Sequence, residues 1–396
     1  MTYADDDIVF RGAARTPIGK FLGSLKNHSA TQLGTIAARG ALERTSIDPS
    51  TVDAVYFGNV IQSSKDAAYL ARHVGLGAGA PVKAPALTLN RACASGLDAI
   101  CEGAKTIRAG EAEVVLAGGA ENMSMTPYAM RGVRTGWRMI KSDVDDMLFS
   151  ALYDPKAGCS IGETVEHLAK ERGIDRAEAD EAAVWSQSRA KKAQDEGRLA
   201  WEIVPVLEKS RRGERKIEVD ENLRPDTTRE SLAPLPGLYG RDGVVTAGNS
   251  SGLNDAGAAV VMSTGARAKA DDRIPIGRLV ASAVVGVDPK LMGEGPIEAT
   301  RLALSRANLK LDDIHVIEIN DSFTVQYIAV ERALGLKRDR VNQQGGAIAL
   351  GHPMGATGTR LVISALSQLA TLGGGYGLCT LCVGGGQGIA AIVQVV

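Results

Sequence analysis

The sequence predicts an α/β protein made of two similar halves, with a large insertion following the first. Length is one reason: 396 residues exceed one ordinary core at ~150 residues per domain. Composition is another. Glycine numbers 46 and aromatics make up only 4%, so Ala, Val, Ile and Leu must pack closely, and turns can bring backbone against a ligand. The third is an ungapped internal repeat. Ala41-Leu42-x-Arg44-x-x-Ile47, followed by Val52 and Val55, matches Ala303-Leu304-x-Arg306-x-x-Leu309, followed by Ile314 and Ile317.

Each copy of the repeat reads as a helix, a polar connection at Asp48 or Asp312, and a strand, 54–60 in the first and 316–320 in the second. A second pair, Val114-Val115-Leu116-Ala117-Gly118-Gly119 and Leu381-Cys382-Val383-Gly384-Gly385-Gly386, reads as two buried strands running into glycines. The halves therefore fall at 1-120 and 266-396. The intervening 121-265 differs in composition: it holds Met123, Met125, Met130, Met139 and Met147, a charged amphipathic helix over 176–197, and the run Lys209-Ser210-Arg211-Arg212-Gly213-Glu214-Arg215-Lys216. Charge runs are usually solvated faces. An insertion rich in Met and basic residues is also where a substrate-gripping loop domain would sit.

A net charge of -1, from 45 basic and 46 acidic residues, removes any electrostatic case for nucleic acid or an anionic membrane as the main partner. The acidic start, Met1 to Asp7, lacks the basic and apolar regions of a secretory leader. Five cysteines without paired spacing argue against a disulfide framework and for a reducing, cytoplasmic setting. From Leu361 to Val396 no residue is charged, but glycines break the stretch into short pieces. It reads as a helix and two buried strands, not a membrane span.

Several kinds of chemistry find no support. There is no P-loop, and Gly75-x-Gly77-x-Gly79 is too loose for a dinucleotide loop, so it reads as loop glycine. The scattered His and Cys residues lack metal-ligand spacing, and Cys379-x-x-Cys382 has no second pair. Nucleophilic catalysis remains. In Asn90-Arg91-Ala92-Cys93-Ala94-Ser95-Gly96, a strand over 84–89 gives way to a helix, placing Cys93 where orphan N–H groups and the macrodipole favour a thiolate. Cys101 reads as a structural cysteine on that helix. A thiol needs a base. His352, in Gly351-His352-Pro353-Met354-Gly355, is the histidine whose glycine neighbours let backbone fold around an exposed imidazole. Cys382 leads into Gly384-Gly385-Gly386, whose N–H groups suit an oxyanion.

These blocks, with Arg15-Thr16-Pro17-Ile18-Gly19, Gly118-Gly119-Ala120-Glu121-Asn122-Met123-Ser124 and Thr246-Ala247-Gly248-Asn249-Ser250-Ser251-Gly252-Leu253-Asn254-Asp255, run the length of the chain. In them the sequence resembles the thiolases, both acetyl-CoA C-acetyltransferases and 3-ketoacyl-CoA thiolases. The resemblance implies a duplicated thiolase fold, five-layer αβαβα, with an inserted loop domain that returns to the N-terminal half near its end. It implies a homodimer or homotetramer, no permanently bound cofactor, and coenzyme A, acetyl-CoA and 3-ketoacyl-CoA as substrates. It makes Cys93 the acylated nucleophile, His352 its base and Cys382 the acid/base toward the second substrate. One oxyanion hole would use His352 and a water on Asn320, the other the N–H groups of Cys93 and Gly384. Arg224, Ser251 and Met292 would contact coenzyme A.

The chain departs from the family pattern in two places. Asn320-Asp321-Ser322-Phe323 stands where Asn-Glu-Ala-Phe is usual, and Cys159-Ser160-Ile161-Gly162 replaces a His-Met-Gly run, removing a substrate-facing imidazole. Room for a longer acyl group follows, unless a loop-domain Met such as Met147 fills it. Two other readings compete: a catalytically silent thiolase-like protein that binds acyl-CoA or lipid, and another condensing enzyme of the superfamily. The presence of Cys93, His352 and Cys382 argues against the first, and a second Cys before a glycine run against the other.

Overall fold

The computed structural model describes residues 3–136, 144–210 and 213–396; Met139 and the Arg211-Arg212 pair lie outside the described residues. The first half contributes strands β1 (Ile8–Arg15), β2 (Ala54–Gly58), β3 (Ala86–Leu89) and β4 (Val114–Asn122), and helices α1 (Ala30–Glu43), α2 (Leu70–Ala78) and α3 (Ser95–Arg108). The intervening segment adds helices α4 (Ile161–Arg172) and α5 (Arg176–Asp195), then returns as strand β5 (Asn254–Thr264). The second half holds β6 (Gly277–Gly286), α6 (Gly295–Ala307), β7 (Ile314–Ile319), α7 (Thr324–Leu334), α8 (Met354–Thr371), β8 (Gly375–Val383) and β9 (Gln387–Val395).

The strand order exposes the duplication. On one side of the sheet it runs β1-β5-β4-β2-β3, and on the other β6-β9-β8-β7, with Val341 bridging in parallel beyond β7 where β3 stands in the first half. Pairing directions agree as well: β5–β4 and β9–β8 are antiparallel, β4–β2 and β8–β7 parallel. The two copies of the sequence repeat are α1 leading to β2 and α6 leading to β7. Strands β1 and β6 join the halves into one sheet, with the short strand Gly19–Lys20 pairing on β5 as its tenth member.

Helix α8 packs on α3 and on strands of both halves, β4 and β5 on one side and β7, β8 and β9 on the other. The α3/α8 pair is therefore the middle layer. Helices α1 and α2 cover the first half from outside, and α6 covers the second. This is the expected five-layer αβαβα arrangement. It explains the charge-free C-terminal stretch: α8 is buried along nearly its whole length, and β8 and β9 are interior strands. A Cβ on Gly96 of α3 would lie 2.6 Å from the Gly355 carbonyl of α8, so only glycine permits this approach. Gly75 and Gly77, expected in a loop, lie within α2, and Gly79 caps it in a left-handed conformation.

Buried ion pairs tie the insertion to this frame. Arg15, 1% exposed, bonds Glu202 through Nε at 2.7 Å and Asp220 through both terminal nitrogens at 2.8 and 2.9 Å. Ser364 of α8 donates to the same Glu202. Each charge is thereby met inside the protein, as burial requires. On either side of Arg211-Arg212, Val206–Ser210 pairs antiparallel with Gly213–Ile217. No described helix is long and apolar enough to cross a membrane.

Candidate active site

Cys93 sits on the turn from β3 into α3, and short polar contacts hold that turn. Asn90 Oδ1 accepts the Ala92 N–H at 2.9 Å, while Ser95 Oγ accepts the Arg91 N–H at 2.9 Å and donates to the Ala92 carbonyl at 2.7 Å. Ala92 is left-handed, with φ 42°, a strained position for a residue with a side chain. The surrounding bonds overdetermine it and project the next side chain into a cavity.

The cavity has a volume of about 830 Å³, ample for a small organic substrate. Cys93, His352, Cys382, Gly384, Ser251 and Met292 all line it. Cys382 arrives at the end of β8. Asn320 follows β7, and because β7 and β8 pair in parallel with Ile319 opposite Thr380, these two strand ends deliver Asn320 and Cys382 to the same place. His352 comes from the segment just before α8.

Electrostatics differ from the sequence expectation. Burial pushes the Cys93 thiol up to about 11, although the backbone N–H groups of Gly384 and Cys93 pull it down and Glu121 adds to the rise. Desolvation thus outweighs the helix terminus, and the resting group is a thiol, not the thiolate expected from the corner position. His352 is buried, not exposed, and burial, then the positive charge of Arg360, lowers it to about 3. It is a neutral base at any ordinary pH. Burial also drives the Cys382 thiol far up, with Cys93 adding to the rise and a hydrogen bond from Ser322 opposing it.

The chain matches the family model for the thiolase N-terminal domain over residues 8–266 and that for the thiolase C-terminal domain over residues 273–395. The chain belongs to the thiolase family. It is similar to the human mitochondrial 3-ketoacyl-CoA thiolase, 45% identical over 384 residues and 96% of each chain. It is also similar to the beta-ketothiolase BktB of Cupriavidus necator, 46% identical over 389 residues, 98% of this chain and 99% of that one. The crystal structure of the human mitochondrial thiolase in complex with CoA superposes with a TM-score of 0.96 at 43% identity, covering 99% of this chain and 98% of that one.

Within the thiolase frame, the two departures take separate jobs. Asp321 turns away from the cavity: its carboxylate accepts the Ala347 N–H and the Ser186 hydroxyl, so it anchors the glycine segment leading to His352. Burial raises it to about 7. Ser322 faces the cavity instead. Glu121 is a fully buried anchor quoted above only within a motif. It accepts N–H groups of Val60, Ile61 and Gly355 at 2.9–3.1 Å, and burial pushes it up to about 7. Thr357 and Asn254 support His352, and neither stood out in the sequence; Asn254 Oδ1 accepts the His352 N–H at 2.9 Å.

The structure does not bring every expected residue in. Arg224 is exposed and does not line the cavity; its backbone N–H bonds Gln187. Met147 does not line the cavity either, so it does not fill the space beside Ser160. Tyr239 stands beside Ser160 and walls one side of that space: its ring and hydroxyl sit where a Cβ on Gly162 would fall, and Ser160 partly offsets the burial that raises its phenol. Ser160 meanwhile caps α4, accepting the Glu163 N–H. Among the described residues no group of three or more His, Cys, Asp and Glu is placed to hold a metal ion.

Proposed function

We propose that this protein is a CoA-dependent acyltransferase that makes or cleaves 3-ketoacyl-CoA by a ping-pong Claisen mechanism through an acyl-Cys93 intermediate. The observation that carries the reading is the convergence of two thiols, a neutral imidazole and the Gly384 backbone in one cavity. A thiol kept at about 11 needs a base at the moment of attack, and a histidine held at about 3 is free to accept. In cleavage, Cys93 gives its proton to His352 and its sulfur attacks the 3-keto carbon. The N–H groups of Cys93 and Gly384 suit one oxyanion; His352, with a water on Asn320, suits the enolate. Cys382 then protonates the departing acetyl-CoA α-carbon and next takes the proton of the incoming CoA thiol.

Ser251 and Met292 are proposed CoA contacts on the cavity wall, with Arg224 reaching the nucleotide from the surface. The substrates are acetoacetyl-CoA and somewhat longer short-chain analogues. A division into a half at 1-120, a loop domain at 121-265 and a half at 266-396 goes with this reading, supported by the matched strand orders. A homodimer or homotetramer is proposed, supported by the open edge of β3, where Leu87 is 51% exposed and unpaired strand groups invite a second chain. A cytoplasmic setting is proposed on the five free cysteines.

The test is direct. Incubation with acetyl-CoA followed by digestion should place an acetyl group on the Cys93 peptide, and steady-state kinetics should be ping-pong. Acetylation elsewhere, or none, refutes the mechanism.

A further inference from the structure

We infer that the Ser322 hydroxyl is part of the proton-transfer site, joining the Asn320 amide to the Cys382 thiol in one hydrogen-bonded chain. Asn320 Nδ2 donates to Ser322 Oγ at 2.7 Å. Ile319 pairs with Thr380 and the Asn320 N–H bonds the Thr380 carbonyl, so Ser322 and Cys382 leave the two strand ends side by side, where Ser322 lowers the Cys382 thiol. A serine hydroxyl has one proton to give and lone pairs to accept with. Asn320 occupies one lone pair and leaves the Ser322 proton free to be given to the sulfur that ends the neighbouring strand. Both Ser322 and Cys382 line the cavity, while Asn320 lies behind them, fully buried.

The surroundings make this hydroxyl matter. Asn320 Oδ1 is buried without a partner, so the bond to Ser322 is the short contact that orients the amide; the next contact of Nδ2 is His352 Nε2, at 3.5 Å. A methyl at 322, which the family pattern would put there, leaves Nδ2 to find a water. In this chain one of the two Nδ2 hydrogens meets an oxygen the protein supplies itself, and the other stays free for the water beside His352.

The consequence falls on Cys382, and it rests on the Claisen reading above. In cleavage the Cys382 S–H bond breaks as its proton goes to the enolate carbon of the departing acetyl-CoA, leaving a thiolate. The S–H bond re-forms with the proton of the incoming CoA thiol, whose sulfur then attacks the acyl carbon on Cys93. Ser322 keeps its own proton throughout. Between these two events a thiolate sits in a desolvated pocket, where an anion needs donors. Ser322 and the Cys382 N–H are the groups that lower the cost of that charge. Acylation of Cys93 by a donor whose leaving group needs no proton, such as p-nitrophenyl acetate, engages neither of them.

Ser322→Ala separates the two steps. With p-nitrophenyl acetate, whose leaving group needs no proton from Cys382, the variant should acetylate Cys93 within twofold of the unaltered protein, which also shows that it folds. With acetyl-CoA in deuterated water, deuterium entry into the acetyl-CoA methyl should fall about tenfold, ~1.4 kcal/mol of lost thiolate stabilisation. In turnover, kcat should drop while KM for CoA stays within twofold. Unchanged exchange, or equal loss of acylation and exchange, overturns the inference. If the unaltered protein itself fails to acetylate Cys93, the Claisen reading falls first and independently of Ser322.

Discussion

Thr357 Oγ1 lies 2.7 Å from Nδ1 of His352 and donates its own proton to the Pro353 carbonyl at 3.0 Å. A hydroxyl that gives its proton away can only accept from Nδ1, so Nδ1 carries the imidazole hydrogen and Nε2 presents a lone pair. The Asn320 amide, 3.5 Å from Nε2, agrees with that polarity. One turn of α8 thus selects the tautomer that can take a proton from Cys93.

The first prediction concerns division of labour. His352→Ala should slow acylation of Cys93 by roughly 100-fold or more, within the span of general base catalysis. Cys382→Ala should acylate normally from p-nitrophenyl acetate, whose leaving group needs no proton, yet fail to exchange the α-proton or condense. Rapid-quench mass analysis of both variants decides it. Equal acylation defects would contradict the assignment.

A second prediction follows from the raised thiol. Because Cys93 titrates near 11, its thiolate fraction in the free protein is small and grows with pH. Alkylation of Cys93 by iodoacetamide should therefore rise roughly tenfold per pH unit between about pH 7 and 10. A plateau below pH 8 would instead reveal a standing thiolate–imidazolium pair.

Acyl length gives the third. Ser160 leaves space that an imidazole would occupy, and each extra buried methylene gains ~0.8 kcal/mol, about fourfold in kcat/KM. Thiolysis of 3-ketovaleryl- and 3-ketohexanoyl-CoA should be measurable beside acetoacetyl-CoA. Because Tyr239 walls the same corner, Tyr239→Ala should lengthen the preferred substrate further, and Ser160→His should shorten it. Strict activity on acetoacetyl-CoA alone would sink the idea.

The fourth tests the middle layer. A methyl at Gly96 would meet the Gly355 carbonyl at 2.6 Å and Thr359 Oγ1 at 2.8 Å. Backbone cannot yield there as a flexible side chain can, so Gly96→Ala should destabilise by about 1–3 kcal/mol. A thermal midpoint equal to that of the unaltered protein would show that α3 and α8 can separate freely.

Much of this molecule was legible in the residues themselves. The repeat across Ala41 and Ala303 announced the duplicated halves, since identical packing demands on α1–β2 and α6–β7 leave identical apolar spacing. That Cys93, His352 and Cys382 would face one cavity was legible too, because small residues and glycine clusters flank all three.

What only the tertiary structure decided was the environment of those groups. A sequence carries position along the chain, but desolvation depends on everything packed around a group. Cys93 is a thiol and His352 a neutral base because helices and strands from both halves close over them. Thr357 chooses the tautomer, Ser322 meets Cys382 from across the parallel pair β7–β8, and Tyr239 reaches Ser160 from 79 positions away. None of these meetings has a local spacing to betray it; they exist only once the two halves and the insertion share one cavity.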